Sequence, residues 1–239
     1  MRKLVILALA LAMAGVVLTK TDEDMFERPR RAMVAMQIKA RGISDPRILD
    51  AMGRIPRHLF VPSAYQSQAY ADHPLPIEEG QTISQPFIVA LMTEHLEARE
   101  GDRILEIGTG SGYQAAVLAE LTPEVYSVEI RETLARRSEK TLKELGYDFV
   151  RVKHADGYYG WEEYAPFDGI MVTCAANHVP PPLLRQLKEG GRLIIPLGST
   201  SYFQTLTVIT KVDGRPRVRQ VLDVRFVPMV GEAEKKKGR

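Results

Sequence analysis

"ILEIGTGSGYQAAVLAE", residues 104–120, decides how the rest of the chain is read. Ile104–Ile107 is a short apolar run of strand length, and Tyr113 opens an amphipathic stretch with helical spacing. Between them stand Gly108, Gly110 and Gly112. Glycines at such a junction let backbone come close to a ligand, and the start of the following helix favours negative charge. In open α/β sheets, ligands sit at the carboxyl ends of the strands, where strand order switches. A plain strand-to-helix turn would use the same residues, so the loop takes its meaning from what surrounds it.

Downstream, short apolar runs alternate with helical patterns. Residues 103–107, 125–129, 149–153, 167–173 and 192–198 read as strands, with amphipathic stretches near 113–121, 132–145 and 180–189. That alternation predicts a parallel sheet covered on both faces. Residues 203–229 differ, forming two long strand patterns around "DGRP", a hairpin signal. Upstream, residues 25–42 read as a helix ending at Gly42, followed by a short helix with Asp45 as cap, Pro46 in its first turn and Gly53 at its end. Residues 55–80 are rich in proline and turn formers, an ordered loop with Leu59, Phe60, Tyr65 and Tyr70 as anchors. A further helix starts at Pro86 with Gln85 as its cap, and Phe87, Ile88, Leu91, Met92 and Leu96 fall on one stripe. The expected fold is α/β: a doubly wound, Rossmann-like sheet closed by an antiparallel C-terminal strand pair, with an N-terminal helical extension. The chain divides into a signal-like or mis-assigned segment (1–24), the helical extension with the substrate-site turn (25–99), a ligand-binding α/β core (100–231) and a disordered tail (232–239).

Composition narrows the function. With 239 residues, 45% of them hydrophobic, the chain can bury a real core. Net charge is +2 and the basic residues are scattered, so a nucleic-acid footprint is not expected. A lone cysteine, Cys174, excludes an internal disulfide and a multi-cysteine metal site, and five histidines lack paired ligand spacing, so no metal is expected. Arg2 and Lys3 precede a fifteen-residue apolar run from Leu4 to Leu18, short for a membrane span but suited to a secretory signal. The other reading is a start of translation at Met25 or Met33.

Two acids give the glycine loop chemical direction. Glu129 ends the second strand, 21 residues past Gly108, where a carboxylate can accept both hydroxyls of a ribose. Asp156 follows the third strand, placed to meet an adenine ring. Either would also serve as an ordinary solvated strand-end acid, but together they favour a nucleoside-containing cofactor. In Gly108–Tyr113 the third glycine comes one place too early for G-x-G-x-x-G, and Tyr113 holds the expected site. Glu106 adds another acid just before the loop, as a ligand or as a cap or salt-bridge partner. S-adenosylmethionine carries no pyrophosphate and its cationic groups tolerate carboxylates, so it is favoured over a dinucleotide. An NAD-dependent oxidoreductase is further disfavoured by the lack of a convincing Tyr-x-x-x-Lys element.

Longer segments carry a resemblance. "ISDPRILDAMGRIPRHLFVP", "YADHPLPIEEGQTISQPFIVALMTEHL", "ILEIGTGSGYQAAVLA", "HADGYYGW", "FDGIMVTCAA" and "VRFVPMVG", within Met33–Gly231, resemble the protein-L-isoaspartate O-methyltransferase family. The glycine loop marks only the wider class I methyltransferases; "GQTISQP" and "PRHLFVP" are the specific segments. The resemblance implies methyl transfer from S-adenosylmethionine to the α-carboxylate of L-isoaspartyl residues in damaged proteins and peptides, with spontaneous closure of the ester to a succinimide. It implies Ser84, with Thr82, as the active-site turn, and matches Gly108, Gly110, Glu129 and Asp156 to cofactor positions; Glu106, Gly112 and Gly157 complete the expected cofactor set. A carboxylate nucleophile, with an ordinary pKa of about 4, needs positioning rather than a general base. On local grammar alone, Ser84 or Thr82 would equally well cap the turn. Asn177 and His178 receive no role, Cys174 is expected to be packed, Asp168 to support its strand, "YYGW" to pack in the core or line the pocket, and Arg28, Arg30 and Arg31 to form a solvated helix face. A methyltransferase of the same fold on another substrate and an exported, non-catalytic relative are the alternatives. Because S-adenosylmethionine is made in the cytosol, a cytoplasmic enzyme is expected, as a monomer.

Overall fold

The computed structural model describes residues 25–199 and 202–235; the signal-like segment 1–24 and residues 236–239 lie outside the described residues. Helix α1 (residues 25–32) continues through a π-helical stretch, Met33–Ile38, and a 3₁₀ turn, Lys39–Arg41, to Gly42. Helix α2 (Pro46–Arg54) starts as expected: the Asp45 carboxylate accepts the Arg47 N–H at 2.9 Å, with Pro46 at the first helical position. It runs one residue past Gly53. Strands β1 (Leu75–Pro76) and β2 (Thr82–Ile83) then form a small antiparallel ladder leading into α3 (Pro86–Leu96), with Gln85 at its N-cap.

The sheet follows. Strand β3 (Ile104–Ile107), α4 (Tyr113–Ala119), β4 (Val125–Glu129), α5 (Glu132–Glu144), β5 (Arg151–His154), β6 (Phe167–Val172), α6 (Pro181–Gln186), β7 (Leu187–Gly198), β8 (Gln204–Val212), β9 (Arg215–Val224) and α7 (Glu232–Lys235) complete the chain. Strand order is β5-β4-β3-β6-β7-β8-β9, parallel through β7 and antiparallel for the last two. Asp213 and Gly214, both at positive φ, make the two-residue turn between β8 and β9. The order reverses around β3, which lies between β4 and β6 with every residue buried. Side chains alternate faces: Ile104 and Val125 pack with α1–α5 on one side, while Leu105, Ile107, Tyr126 and Ile170 fill the other. No described helix is long and apolar enough to cross a membrane.

Several expectations are corrected. Leu59 is 43% exposed and anchors nothing, while Phe60 and Tyr70 are buried as read. The stripe on α3 is broader than a single face: Val89, Ala90 and Thr93 are fully covered, and Ile88 and Leu91 only half. This follows from its place between the extension helices and strands β6 and β7, which bury it on more than one side. Arg28 and Arg31 are exposed, but Arg30 is buried beside the Tyr70 hydroxyl. The third strand starts at Arg151 because Val150 is held in a turn to the Tyr147 carbonyl and Phe149 faces solvent. The helix expected over 180–189 is the shorter α6, since Leu187–Glu189 join β7. In the expected tail, Glu232–Lys235 form a helical turn with Ala233 buried.

Glu106 is the sheet's unusual residue. It is fully buried and paired in register with Ser127 of β4, whose hydroxyl donates to one carboxyl oxygen at 2.5 Å. Ser127 in turn lies 2.6 Å from the Thr109 hydroxyl, and the other Glu106 oxygen has no partner among the described residues. Burial, with the nearby Glu129 charge, pushes the Glu106 pKa up to about 8, so it is a neutral acid at pH 7. An acid whose folded pKa exceeds its unfolded one adds stability below the unfolded value and loses it as pH rises through the folded value. Wild type is therefore expected to lose stability between about pH 5 and about pH 8, by on the order of a few kcal/mol, relative to Glu106→Gln. Denaturant midpoints of both proteins at the two ends of that range check this; parallel pH dependence would mean that Glu106 is ionised throughout.

Candidate active site

At the carboxyl ends of β3, β4 and β6 the sheet opens into a cavity. This is the crevice that a doubly wound sheet creates where its strand order reverses. One wall is the loop Gly108–Ser111, with Glu129–Arg131 at the end of β4 beside it. Facing it is the turn Gln81–Ser84, and a third wall is Val227–Val230.

The first wall is set by close backbone approach. Gly108 has φ +99°, and a Cβ there would stand 2.5 Å from the Thr173 hydroxyl. That hydroxyl donates to the Gly108 carbonyl at 2.6 Å, tying the loop to the end of β6. Gly157 likewise has no room for a side chain, since a Cβ would lie 2.4 Å from Ile107 Cγ2. The Glu129 carboxylate is held rigidly, accepting the Gly110 N–H at 2.8 Å and the Arg131 N–H at 2.9 Å. A carboxylate so pinned has lone pairs left for a diol. Arg131 also reaches Glu79 at 3.1 Å, tying the far turn to the nucleoside side.

The opposite wall is short and irregular. Thr82 pairs with Pro76 in the ladder, and Ser84 follows β2 just before Gln85 and Pro86. No side chain caps α3, and Gln85 turns aside to the Asp72 carboxylate at 2.8 Å. The Ser84 carbonyl accepts from Arg57 Nη2 at 2.7 Å.

Of the nine residues expected at the site, Thr82, Ser84, Gly108, Gly110, Glu129 and Gly157 line the cavity; Glu106, Gly112 and Asp156 do not. Glu106 shares the face of Ile104 and lies in the sheet interior, reaching the cavity only through Ser127 and Thr109. Gly112 packs on α5, where a Cβ would lie 3.2 Å from that of Ser138. Both Asp156 oxygens are engaged by backbone, accepting N–H groups of Tyr158 at 2.9 Å and Glu232 at 2.8 Å. In "YYGW", Tyr158 and Trp161 are core residues and Tyr159 is exposed. Cys174 stands in the wall, and burial, with the charges of Glu129 and Asp156, pushes its thiol well above the usual range, so it stays protonated. Asp168 accepts the Arg103 N–H at 3.0 Å and pairs with Lys188, supporting the start of β6. His178 lies against Asn177 and Tyr158, outside the cavity walls.

Sequence reasoning missed Thr173, Arg131 and the Val227–Val230 wall. The last was within reach: "VRFVPMVG" carried the resemblance, yet was assigned no work. It is seated on β6's continuation by hydrogen bonds of Ala175 N–H to the Val227 carbonyl, 2.8 Å, and of Met229 N–H to the Ala175 carbonyl, 2.7 Å.

Comparison with known proteins agrees with this geometry. The family model described as Protein-L-isoaspartate(D-aspartate) O-methyltransferase (PCMT) matches residues 28–234. Protein-L-isoaspartate O-methyltransferase 2 of Shewanella sediminis is 53% identical over 217 residues, 91% of this chain and 89% of that protein. The enzyme of the same name from Syntrophobacter fumaroxidans is 52% identical over 238 residues, covering 95% and 96% of the two chains. Among solved structures, a protein-L-isoaspartate O-methyltransferase superposes with a TM-score of 0.77 at 34% identity, over 85% of this chain and 67% of the other. A Plasmodium falciparum chain assigned to the same activity, solved in complex with S-adenosyl-L-homocysteine, superposes with a TM-score of 0.72 at 28% identity, over 84% and 98%. A switch-point cavity walled by a glycine loop on one side and the Thr82–Ser84 turn on the other, in a chain matched along nearly all of its described length, has one reading: the chain belongs to the protein-L-isoaspartate(D-aspartate) O-methyltransferase family.

Proposed function

We propose that this chain transfers a methyl group from S-adenosylmethionine to the α-carboxylate of L-isoaspartyl residues in damaged proteins and peptides, acting as a monomer in the compartment where that donor is made. The supporting observation is that one cavity joins a nucleoside-suited wall to a hydroxyl-bearing turn of the family's specific "GQTISQP" segment.

The residues present suit S-adenosylmethionine. Gly108 and Gly157 leave the wall free of side chains where a flat group can lie against backbone, and the pinned Glu129 carboxylate offers acceptors to the ribose hydroxyls. The cavity's lining carries the Glu129 carboxylate and one cation, Arg131, already paired with Glu79, which suits a cofactor that brings positive groups of its own. When bound, the cofactor supplies a methyl group on an electron-poor sulfonium.

The chain's own part is alignment. The acceptor is ionised at neutral pH, its ordinary pKa being about 4, so no side chain has to remove a proton. Thr82 and Ser84 offer hydroxyl and backbone N–H donors that hold the carboxylate without a contacting cation to blunt its lone pair. The third wall, Val227–Met229, is apolar and keeps water from competing for the methyl group. The backbone nitrogen of the next residue then attacks the ester carbonyl, giving up its proton as methanol leaves, so the ester closes to a succinimide without further help, and its hydrolysis returns some normal aspartate.

The test is methyl transfer from labelled donor to an L-isoaspartyl peptide against the same peptide with normal aspartate. Transfer only to the former is expected; equal transfer to both, or to neither, would remove the repair reading. Ser84→Ala is expected to lower kcat/KM for the peptide by about 10- to 100-fold while leaving S-adenosylhomocysteine affinity unchanged. Glu129→Ala is expected to do the reverse, weakening S-adenosylhomocysteine by roughly 10- to 100-fold in calorimetry through loss of charge-assisted bonds to the ribose. Unaltered affinity in that variant would assign the ribose to other partners.

A further inference from the structure

Behind the Thr82–Ser84 turn lies a side chain that the cavity does not touch. Arg57, in "PRHLFVP" (residues 56–62), is 0% exposed. Arginine is almost never fully buried unless a carboxylate accompanies it, because removing the charge from water is expensive. Among the described residues no carboxylate pairs with it. Its partners are two carbonyls: Nε donates to Ala69 at 2.7 Å and Nη2 to Ser84 at 2.7 Å. The Tyr113 ring lies under the guanidinium, 4.7 Å from its carbon to the ring centroid. The buried Tyr113 hydroxyl interacts with the guanidinium, though neither it nor Nη1 makes a hydrogen bond of good geometry. Burial pushes the Arg57 pKa down to about 10, which still leaves it charged at neutral pH. The second buried arginine, Arg30, stands in the same region beside Tyr70.

A fully buried cation with no carboxylate partner calls for an explanation. The geometry supplies one. Ala69 and Ser84 belong to separate loops, so one rigid guanidinium fork fixes the distance between them. The peptide unit is planar and trans, so turning the Ser84 carbonyl toward Arg57 turns the Gln85 N–H the opposite way. The charge itself lies in a low-dielectric interior, where its attraction for an arriving anion is weakly screened.

We propose that Arg57 is a positioning residue for methyl transfer: it clamps the Thr82–Ser84 turn through the Ser84 carbonyl and keeps a positive charge behind the place where the acceptor carboxylate docks. This rests on the reading that the turn receives that carboxylate. Arg57 acts without touching either substrate, so the acceptor feels the charge while its attacking oxygen stays free of a contacting cation.

The experiment compares Arg57→Lys and Arg57→Met in the full chain. Arg57→Lys keeps the charge and loses the fork. Its KM for the isoaspartyl peptide is expected to rise about 10-fold, with the KM for S-adenosylmethionine within about two-fold of wild type. Amides of residues 82–85 are expected to exchange hydrogen at least about ten-fold faster. Arg57→Met loses the charge as well, and kcat/KM for the peptide is expected to fall about 100-fold, partly rescued in the Lys variant. In a Ser84→Ala background, Arg57→Lys is expected to add less than about a two-fold further loss, because both changes act on one turn. Should the Met variant fail to melt cooperatively, the Lys variant decides alone. The proposal is overturned if Arg57→Lys leaves both the peptide KM and the exchange of 82–85 unchanged, or if it raises the two KM values equally, as a general loss of structure would. If wild type methylates no isoaspartyl peptide, the activity reading falls, and exchange at 82–85 still decides whether the clamp exists.

Discussion

A central strand with no exposed residue has to end, reverse its side-chain demands and meet solvent within a few residues. That constraint at the end of β3 governs the rest of the molecule. The Gly108 N–H is still bonded to the Val128 carbonyl, at 2.8 Å, so the loop leaves the sheet under ladder control. Glu129 then reaches back to the Gly110 N–H, and Thr173 closes the other side on the Gly108 carbonyl. Each neighbouring strand thus contributes one side chain to satisfying the backbone that β3 leaves exposed. The same contacts leave a bare peptide surface and a pinned carboxylate in the cavity wall. The bonds that finish the strand are therefore also the ones that shape the cavity.

Charge is handled by placement. Glu106 and Cys174 are kept neutral by burial, Arg57 is kept charged between two carbonyls, and Arg131 is paired with Glu79 at the cavity's edge. The surface edges follow a simpler rule. The first half of β9 is fully exposed and carries Arg215, Arg217 and Arg219, which discourage another strand from adding to the sheet.

How much of this was legible in the sequence varies with the range of the interactions involved. β3 and β4 read correctly because their apolar runs and the loop between them are local signals, and the same βαβ spacing brings Glu129 to the cavity that Gly108 lines. Asp156 read only in part: its place after β5 was local, but its occupation by the Glu232 N–H depends on a segment 76 residues away. Glu106 has the right position to be a ligand in one dimension. Only the pairing with Ser127 shows that it faces the interior. Arg30 looked solvated because helical periodicity does not reveal a tyrosine forty residues on, and Arg57, though inside the specific segment "PRHLFVP", showed nothing of its partners, since these are main-chain atoms of any residue type.

The wall Val227–Val230 has a consequence in time rather than space. It is translated after every other residue that bounds the cavity, and it is seated by Ala175 and anchored through Glu232 to Asp156. A growing chain can pair β3, β4 and β6 early, since domains build from their first-made parts. Its crevice nevertheless stays open on one side until Val227–Val230 leave the ribosome and dock. A chain made only as far as β6 therefore lacks this apolar wall, and the cavity closes only once residues more than fifty positions downstream of β6 have docked.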